Sequence, residues 1–114
     1  MSKDPVRALG ELTYQDIPKR LVKSSVLCLP LGAIEQHGPH LPLNTDLVIA
    51  ENVARLMAER HGDEFDLWRL PAVPIGLSRE HAWAPGTLSL NVQSFAALLR
   101  DLVSDLARSL PARN

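Results

Sequence analysis

A glutamate, two histidines and an aspartate lie within twelve residues of one another in the stretch Pro30 to Asp46, Pro-Leu-Gly-Ala-Ile-Glu-Gln-His-Gly-Pro-His-Leu-Pro-Leu-Asn-Thr-Asp. Glu35, His37, His40 and Asp46 are side chains that bind metal ions or move protons. Glu35 and His37 are two apart, and on an extended chain such residues point to the same side. A carboxylate and an imidazole then face one point. Gly32, Gly38, Pro39 and Pro42 make the segment a shaped loop rather than a continued strand. Asp46 is nine residues beyond His37, far enough for the loop to turn back. Oxygen and imidazole donors together suit zinc, manganese, iron or nickel. With no thiolate in the set, a structural cysteine-type zinc site is not expected, and three mixed ligands with an open position fit a catalytic site. Taken singly, each residue has an ordinary role: a turn residue, a satisfied core histidine or, for Asp46, a helix N-cap. Four of them among rigid turn residues point to a site.

The surrounding pattern is that of an α/β chain. Met1 to Gly10 reads as a loose lead-in. Thr13, with Asp16 three residues on, opens a short helix through Arg20 to Lys23. Val26 to Leu31 is a continuous apolar run, as in a parallel strand covered on both faces. Asp46 to Arg60 reads as a helix with Ile49, Val53, Leu56 and Met57 as its apolar stripe. Gly62 is its expected stop, with His61 a solvated partner of the helix dipole. Phe65 to Leu70 reads as a second strand, and Pro71 and Pro74 make Ala72 to Gly76 an interrupted continuation. The loop Leu77 to Gly86 carries Ser78, Glu80, His81 and Trp83. Glu80 and His81 are adjacent, so in an extended chain at most one faces a metal directly; Trp83 either walls a pocket or covers the core. Asn91 caps a helix Val92 to Leu110 with Phe95, Leu98, Leu99, Leu102, Val103 and Leu106 on one face, ended by Pro111. Such a helix crosses over to a further parallel strand, which is expected to be missing.

Composition narrows the function classes. The 114 residues support one domain or part of one, and 46% apolar content argues against disorder. A net charge of −1, with charges interspersed, gives no electrostatic case for nucleic acid or an anionic membrane. Cys28 is the one cysteine, which excludes a disulfide framework and fits a reduced, cytoplasmic setting. Inside an apolar run it reads as a small buried hydrophobe rather than a nucleophile. Met-Ser-Lys-Asp-Pro lacks a hydrophobic signal core, and no apolar run approaches transmembrane length.

The stretch from Pro30 to Asp46 resembles the signature of the creatininase (creatinine amidohydrolase) family. A second block, Gly76-Leu77-Ser78-Arg79-Glu80-His81 followed by Pro85-Gly86-Thr87-Leu88-Ser89, matches that family too, and the resemblance runs from about Leu12 to the C-terminus. It implies that residues 1–114 are the N-terminal part of a three-layer α/β/α sandwich with a mainly parallel sheet. It implies a metal-dependent hydrolase of carbon–nitrogen bonds, in amides or cyclic amides, with two divalent ions: zinc, manganese or both, with iron as a further option. Carried over by motif position, Glu35 binds one ion, His37 the other, and Asp46 bridges them. His40 and His81 are the candidate catalytic side chains that line or support the site. Later family ligands, from a Gly-His-Gly-Gly-Asn-type motif and a further Glu, have no counterpart here, so only part of the implied site is expected. The implied partners are a small-molecule amide substrate and a second copy or a complementing chain. The competing expectation is a truncated, split or non-catalytic chain that acts as a subunit or interaction module.

Overall fold

The structure, a computed structural model, describes residues 7–114. Its sheet is built on β1 (Val26–Cys28) and β2 (Leu67–Arg69), which pair in parallel with Val26 opposite Leu67 and Cys28 opposite Arg69. Short extended rows flank both strands. Ala8 bridges Arg69 in parallel, and the Arg69 N–H donates to the Arg7 carbonyl at 2.9 Å. On the outer edge of β1, Arg113 N–H donates to the Lys23 carbonyl at 3.0 Å and Leu27 N–H to the Asn114 carbonyl at 2.8 Å. The order across the sheet is therefore 113–114, β1, β2, 7–8. Among the described residues no third strand follows α3; residues 113–114 only lie hydrogen-bonded against the edge of β1. The expected lead-in is partly corrected: residues 1–6 lie outside the described residues, but Arg7 to Gly10 is packed structure.

Two helices make the crossovers, α2 (Thr45–Phe65) from β1 to β2 and α3 (Val92–Ser109) from β2 back past β1. Because the second reverses the direction of the first, right-handed connections place them on opposite faces. Burial agrees. Leu27 and Trp68, opposite each other in register, share a face whose core holds Leu21 and Leu110, with Ile17 and Leu106 packed against it. On the other face Ala54 and Glu51 of α2 sit beside Arg69. The result is an α/β/α arrangement. The connections leaving the C-terminal ends of β1 and β2 depart to opposite faces, which opens a crevice between the two loops.

The ladder lapses after Cys28 because Pro30 has no N–H to offer Leu70. It resumes one residue out of step, with Val73 N–H on the Pro30 carbonyl at 3.0 Å and Gly32 N–H on the Val73 carbonyl at 2.8 Å. The predicted first helix shrinks to one turn, α1 (Ile17–Arg20), preceded by Thr13, whose N–H and hydroxyl both donate to Asp16 Oδ2 at 2.8 Å.

Helix α2 runs past its predicted stop. Gly62 is inside it, and a Cβ there would lie 2.2 Å from Arg7 Cδ. The helix ends at Asp66, in the left-handed region at φ 50°. The Asp66 carboxylate accepts from the Arg7 guanidinium, the Ser25 hydroxyl and, at 3.0 Å, Trp68 Nε1–H. Gly62→Ala is therefore expected to destabilise by about 1–3 kcal/mol through overpacking against Arg7. Helix propensity alone would make it favourable by about 1 kcal/mol, so the sign of a denaturant-midpoint shift decides between them.

The buried face of α2 is also not the predicted one. Ala54, Ala58 and Gly62 are buried, while Ile49, Val53, Leu56 and Met57 are 55%, 50%, 37% and 40% exposed. Small side chains let the helix lie close on the sheet, and the larger apolar residues point away from it. On α3 the Asn91 side chain caps as predicted, accepting from Ser94 N–H at 2.7 Å. Leu98, Leu102 and Leu106 line a groove with Leu29 and Leu70, whereas Val103 is exposed. Among the described residues no helix is long and apolar enough to cross a membrane.

Candidate metal centre

The loop after β1 is held from both sides. Leu88 N–H donates to the Ile34 carbonyl at 2.9 Å and Gln36 N–H to Thr87 Oγ1 at 3.1 Å, tying it to the loop after β2. On its other side Glu35 N–H donates to the Leu43 carbonyl at 3.1 Å, and His37 bridges Leu41. Residues 34–37 are thus kept extended, and alternation turns Glu35 and His37 to one side. Gly32 admits the first turn of α2, since a Cβ there would lie 2.8 Å from Leu47 Cα. Asn44 occupies the N-cap position of that helix and Asp46 its first turn. Asp46 is therefore not the cap, but a carboxylate placed where the helix dipole favours negative charge.

Glu35, His37 and Asp46 each present one ligand atom, all within 4.8 Å of one another. His37 Nε2 is 3.2 Å from Asp46 Oδ1. Two ligands held by the same ion at about 2.0–2.1 Å lie roughly 3.0–3.4 Å apart, so this spacing already suits a shared metal. His37 Nδ1 is 3.2 Å from the Glu35 carbonyl. A carbonyl only accepts, so Nδ1 carries a hydrogen; Nε2 faces Asp46, to which the protonated ring donates, and is the nitrogen left to ligate once that second proton is lost. This is the orientation that metal-binding histidines require. The donor set fits a divalent ion.

The same contacts hold the His37 pKa above its ordinary 6.5: first the hydrogen bond to the Glu35 carbonyl, then, against the opposing effect of burial, the charge and hydrogen bond of Asp46 and the charge of Glu35. Only the neutral ring ligates, so a proton and a metal compete for Nε2. Zinc affinity is expected to fall about tenfold per pH unit once the pH drops below the raised His37 value, and to level off above it. Calorimetric zinc titrations across pH check this, and His37→Asn should remove that part of the slope.

A second group shares Glu35. Glu35, Glu80 and His81 also present ligand atoms within 4.8 Å of one another. Arg79–His81 is a 3-10 turn rather than extended chain, which corrects the expectation that Glu80 and His81 must point opposite ways. Glu80 was not singled out as a ligand from sequence, and its turn was not legible there. Gln36 Nε2 lies 2.8 Å from His81 Nδ1. Ser78, which opens the turn, is fully buried, and its Oγ is the one buried side-chain polar atom without a partner among the described residues. Its N–H donates to Ser89 Oγ at 2.9 Å. Buried hydroxyls are almost always satisfied, so Ser78 joins the candidates.

The other histidines stand apart. His40 is at the exposed tip of the loop, beside Gly38, in neither group. His61 lies in the last turns of α2, 3.6 Å from Glu64. Trp83 is 77% exposed, so it does not cover the core. Burial pushes the Cys28 thiol pKa up, in keeping with a hydrophobe rather than a nucleophile.

Comparison with known proteins bears on the family of the chain. The sequence model of creatinine amidohydrolase matches residues 10–110. A mycofactocin precursor peptide peptidase of Mycobacterium tuberculosis is 39% identical over 100 residues, covering 82% of this chain and 39% of that protein. Creatinine amidohydrolase of Pseudomonas putida is 32% identical over 106 residues, covering 88% of this chain and 39% of that protein. Among solved structures, a creatininase in its manganese form superposes with a TM-score of 0.73 at 29% identity, over 89% of this chain and 40% of that one. A zinc–zinc form of a creatininase variant gives 0.73 at 28%, over 95% and 42%. The chain spans about two-fifths of the length of these relatives. A family match across most of the chain, two loops carrying the paired motifs and the α/β topology behind them make this chain a member of the creatininase family.

Proposed function

We propose that the chain contributes the first part of a metal-dependent site for hydrolysis of carbon–nitrogen amide bonds. The observation that carries this reading is the His37 ring, anchored through Nδ1 on the Glu35 carbonyl with Nε2 at 3.2 Å from Asp46. Glu35, His37 and Asp46 would hold divalent metal, zinc or manganese, with iron as a further option. By position in the family motif, Asp46 would be the carboxylate that bridges, were a pair of ions bound. Bound there, the metal supplies Lewis acidity, lowering the pKa of water from about 15.7 toward about 7 and polarising the substrate carbonyl. The chain's own residues orient the ligands, and the paired loops wall one side of the crevice. Ser78 offers a buried hydroxyl, and His81 a ring held by Gln36, from the second wall. His40, at the loop tip, would line the mouth rather than meet the reacting atoms.

The substrate class is an amide of a small molecule or a short peptide. Creatinine-like cyclic amides come first by the family's name activity, but the higher identity to peptide peptidases, 39% against 32%, favours screening peptide amides alongside them. The exposed stripe Ile49, Val53, Leu56 and Met57 on α2 favours a second copy or a complementing protein segment as a partner, in a cytoplasmic setting. It equally supports the reading in which the chain is a subunit without catalysis of its own.

The test is metal content per chain by elemental analysis after gel filtration in the presence of zinc or manganese, followed by an amide-substrate screen. Stoichiometric metal that depends on Glu35, His37 and Asp46 is the expected result. No metal uptake by a folded chain overturns the reading.

A further inference from the structure

Glu35 belongs to two carboxylate–histidine groups, one with His37 and Asp46, the other with Glu80 and His81. Ligand types alone do not choose between them, since each holds two carboxylates and an imidazole. The choice lies in what each histidine's ring nitrogens are bonded to.

Gln36 reaches three separate pieces of chain. Its backbone N–H donates to Thr87 Oγ1 at 3.1 Å. Its side-chain Oε1 accepts from Gly38 N–H at 2.9 Å. Its Nε2 lies 2.8 Å from His81 Nδ1. A backbone N–H can only donate, so the Gly38 contact settles which end of the amide is oxygen. The amide nitrogen must then be the atom facing His81, and it too can only donate. His81 Nδ1 is left to accept, and in the neutral ring the hydrogen sits on Nε2. Neither nitrogen of His81 therefore has a lone pair free for an ion: Nδ1 is occupied by the amide and Nε2 is protonated. His37 differs: its Nδ1–H is on a carbonyl, and its Nε2 faces Asp46, a carboxylate that an ion can share once the ring has lost its second proton.

We propose that Gln36 is a positioning residue that locks His81 in the Nε2–H tautomer and so assigns Glu35 to the His37–Asp46 group rather than to the Glu80–His81 group. His81 then serves the site as an N–H donor. Its Nε2 is 3.9 Å from Glu80 Oε1, leaving that hydrogen available to an acceptor in the crevice. The inference rests on the metal reading of Glu35, His37 and Asp46, but its first readout does not need metal.

The experiment is long-range proton–nitrogen NMR of the protein labelled with 15N-histidine, at a mildly alkaline pH, first without metal and then with zinc. In the metal-free protein His81 is expected to show a pyridine-type Nδ1 and a pyrrole-type Nε2. A pyrrole-type Nδ1 on His81 overturns the proposal, whatever zinc does. On adding zinc, His37 Nε2 is expected to shift and His81 to keep its pattern; zinc shifting a His81 nitrogen also overturns it. If zinc leaves His37 unmoved while His81 keeps the expected tautomer, the metal reading fails and the positioning role of Gln36 stands. Gln36→Glu supplies the converse. A carboxylate only accepts, so it can keep the Gly38 N–H but must draw the His81 hydrogen to Nδ1, opening Nε2. The variant is expected to invert the His81 tautomer and make Nε2 zinc-responsive, which a merely structural role for Gln36 would not produce. An unchanged His81 pattern in Gln36→Glu counts against the proposal.

Discussion

Asp46→Ala is expected to lower zinc or manganese affinity by at least about 100-fold. Loss of a residue that only orients a ligand typically weakens metal binding 10–100-fold. Asp46 is placed as a ligand itself, with Oδ1 at 3.2 Å from His37 Nε2. Its removal takes away a charged oxygen and the partner that faces His37 Nε2. If it bridges two ions, both should be lost together, whereas Glu35→Ala and His37→Ala should each lose chiefly one. The fold should survive. Asp46 is partly exposed in the first turn of α2, where its interaction with the helix dipole contributes only about 0.3–1 kcal/mol. Circular dichroism and a denaturant curve alongside equilibrium dialysis separate lost ligation from lost structure. A folded Asp46→Ala variant with undiminished affinity would remove Asp46 from the ligand set.

That Glu35, His37 and Asp46 could meet was legible in the sequence because each step was local, although the pattern offered His40 equally and only the family resemblance left it out of the ligands. The two-residue spacing of Glu35 and His37 needs only an extended chain, and the turn residues around them force the loop back toward the next helix. The companion group was less legible because it depends on a turn. Glu80 and His81 come together with Glu35 only because residues 79–81 wind into a 3-10 turn and Thr87 and Leu88 pair with Gln36 and Ile34. Those are contacts across about 50 positions of sequence, which no local pattern encodes. Gln36 carries no sequence signal for a different reason. An amide neither titrates nor commonly ligates metal, so its importance appears only once its two ends are seen on Gly38 and His81.

The fold shows the same division. The parallel strands, the Asn91 cap and the α/β class follow from apolar runs and turn chemistry. The packing face of α2 does not, because hydrophobicity ranks Ile49, Val53 and Met57 above the alanines and glycine that actually meet the sheet. Close approach selects for small size, and the periodicity of small residues is a weak signal. The end of α2 departs from its sequence signal for a related reason. Gly62 has the chemistry of a helix stop, but its missing side chain is used instead to admit Arg7, and Asp66 adopts the left-handed conformation in its place. The conformational cost of Asp66 there is offset by three hydrogen-bond donors converging on its carboxylate.

Trp68→Ala is expected to destabilise the chain by about 3–5 kcal/mol. Trp68 is 1% exposed and is the largest fully buried side chain among the described residues. It packs in the core with Leu21 and Leu110, and the Arg7 and Arg20 guanidinium carbons lie 4.3 Å and 5.0 Å from its ring centroid. Domains of this size are stable by about 5–15 kcal/mol in total, so the variant should be close to unfolding at room temperature. Trp68→Phe separates the contributions. It keeps an aromatic face for both cations and most of the buried volume, but loses the Nε1–H bond to Asp66 at 3.0 Å. That loss, with a small void, should cost about 1–2 kcal/mol. If Trp68→Phe is instead as damaging as Trp68→Ala, the hydrogen bond to Asp66 outweighs burial of the ring. The helix stop, the Arg7 row and β2 would then be joined chiefly through that one carboxylate, and Asp66→Ala, which removes every acceptor there, should be equally damaging.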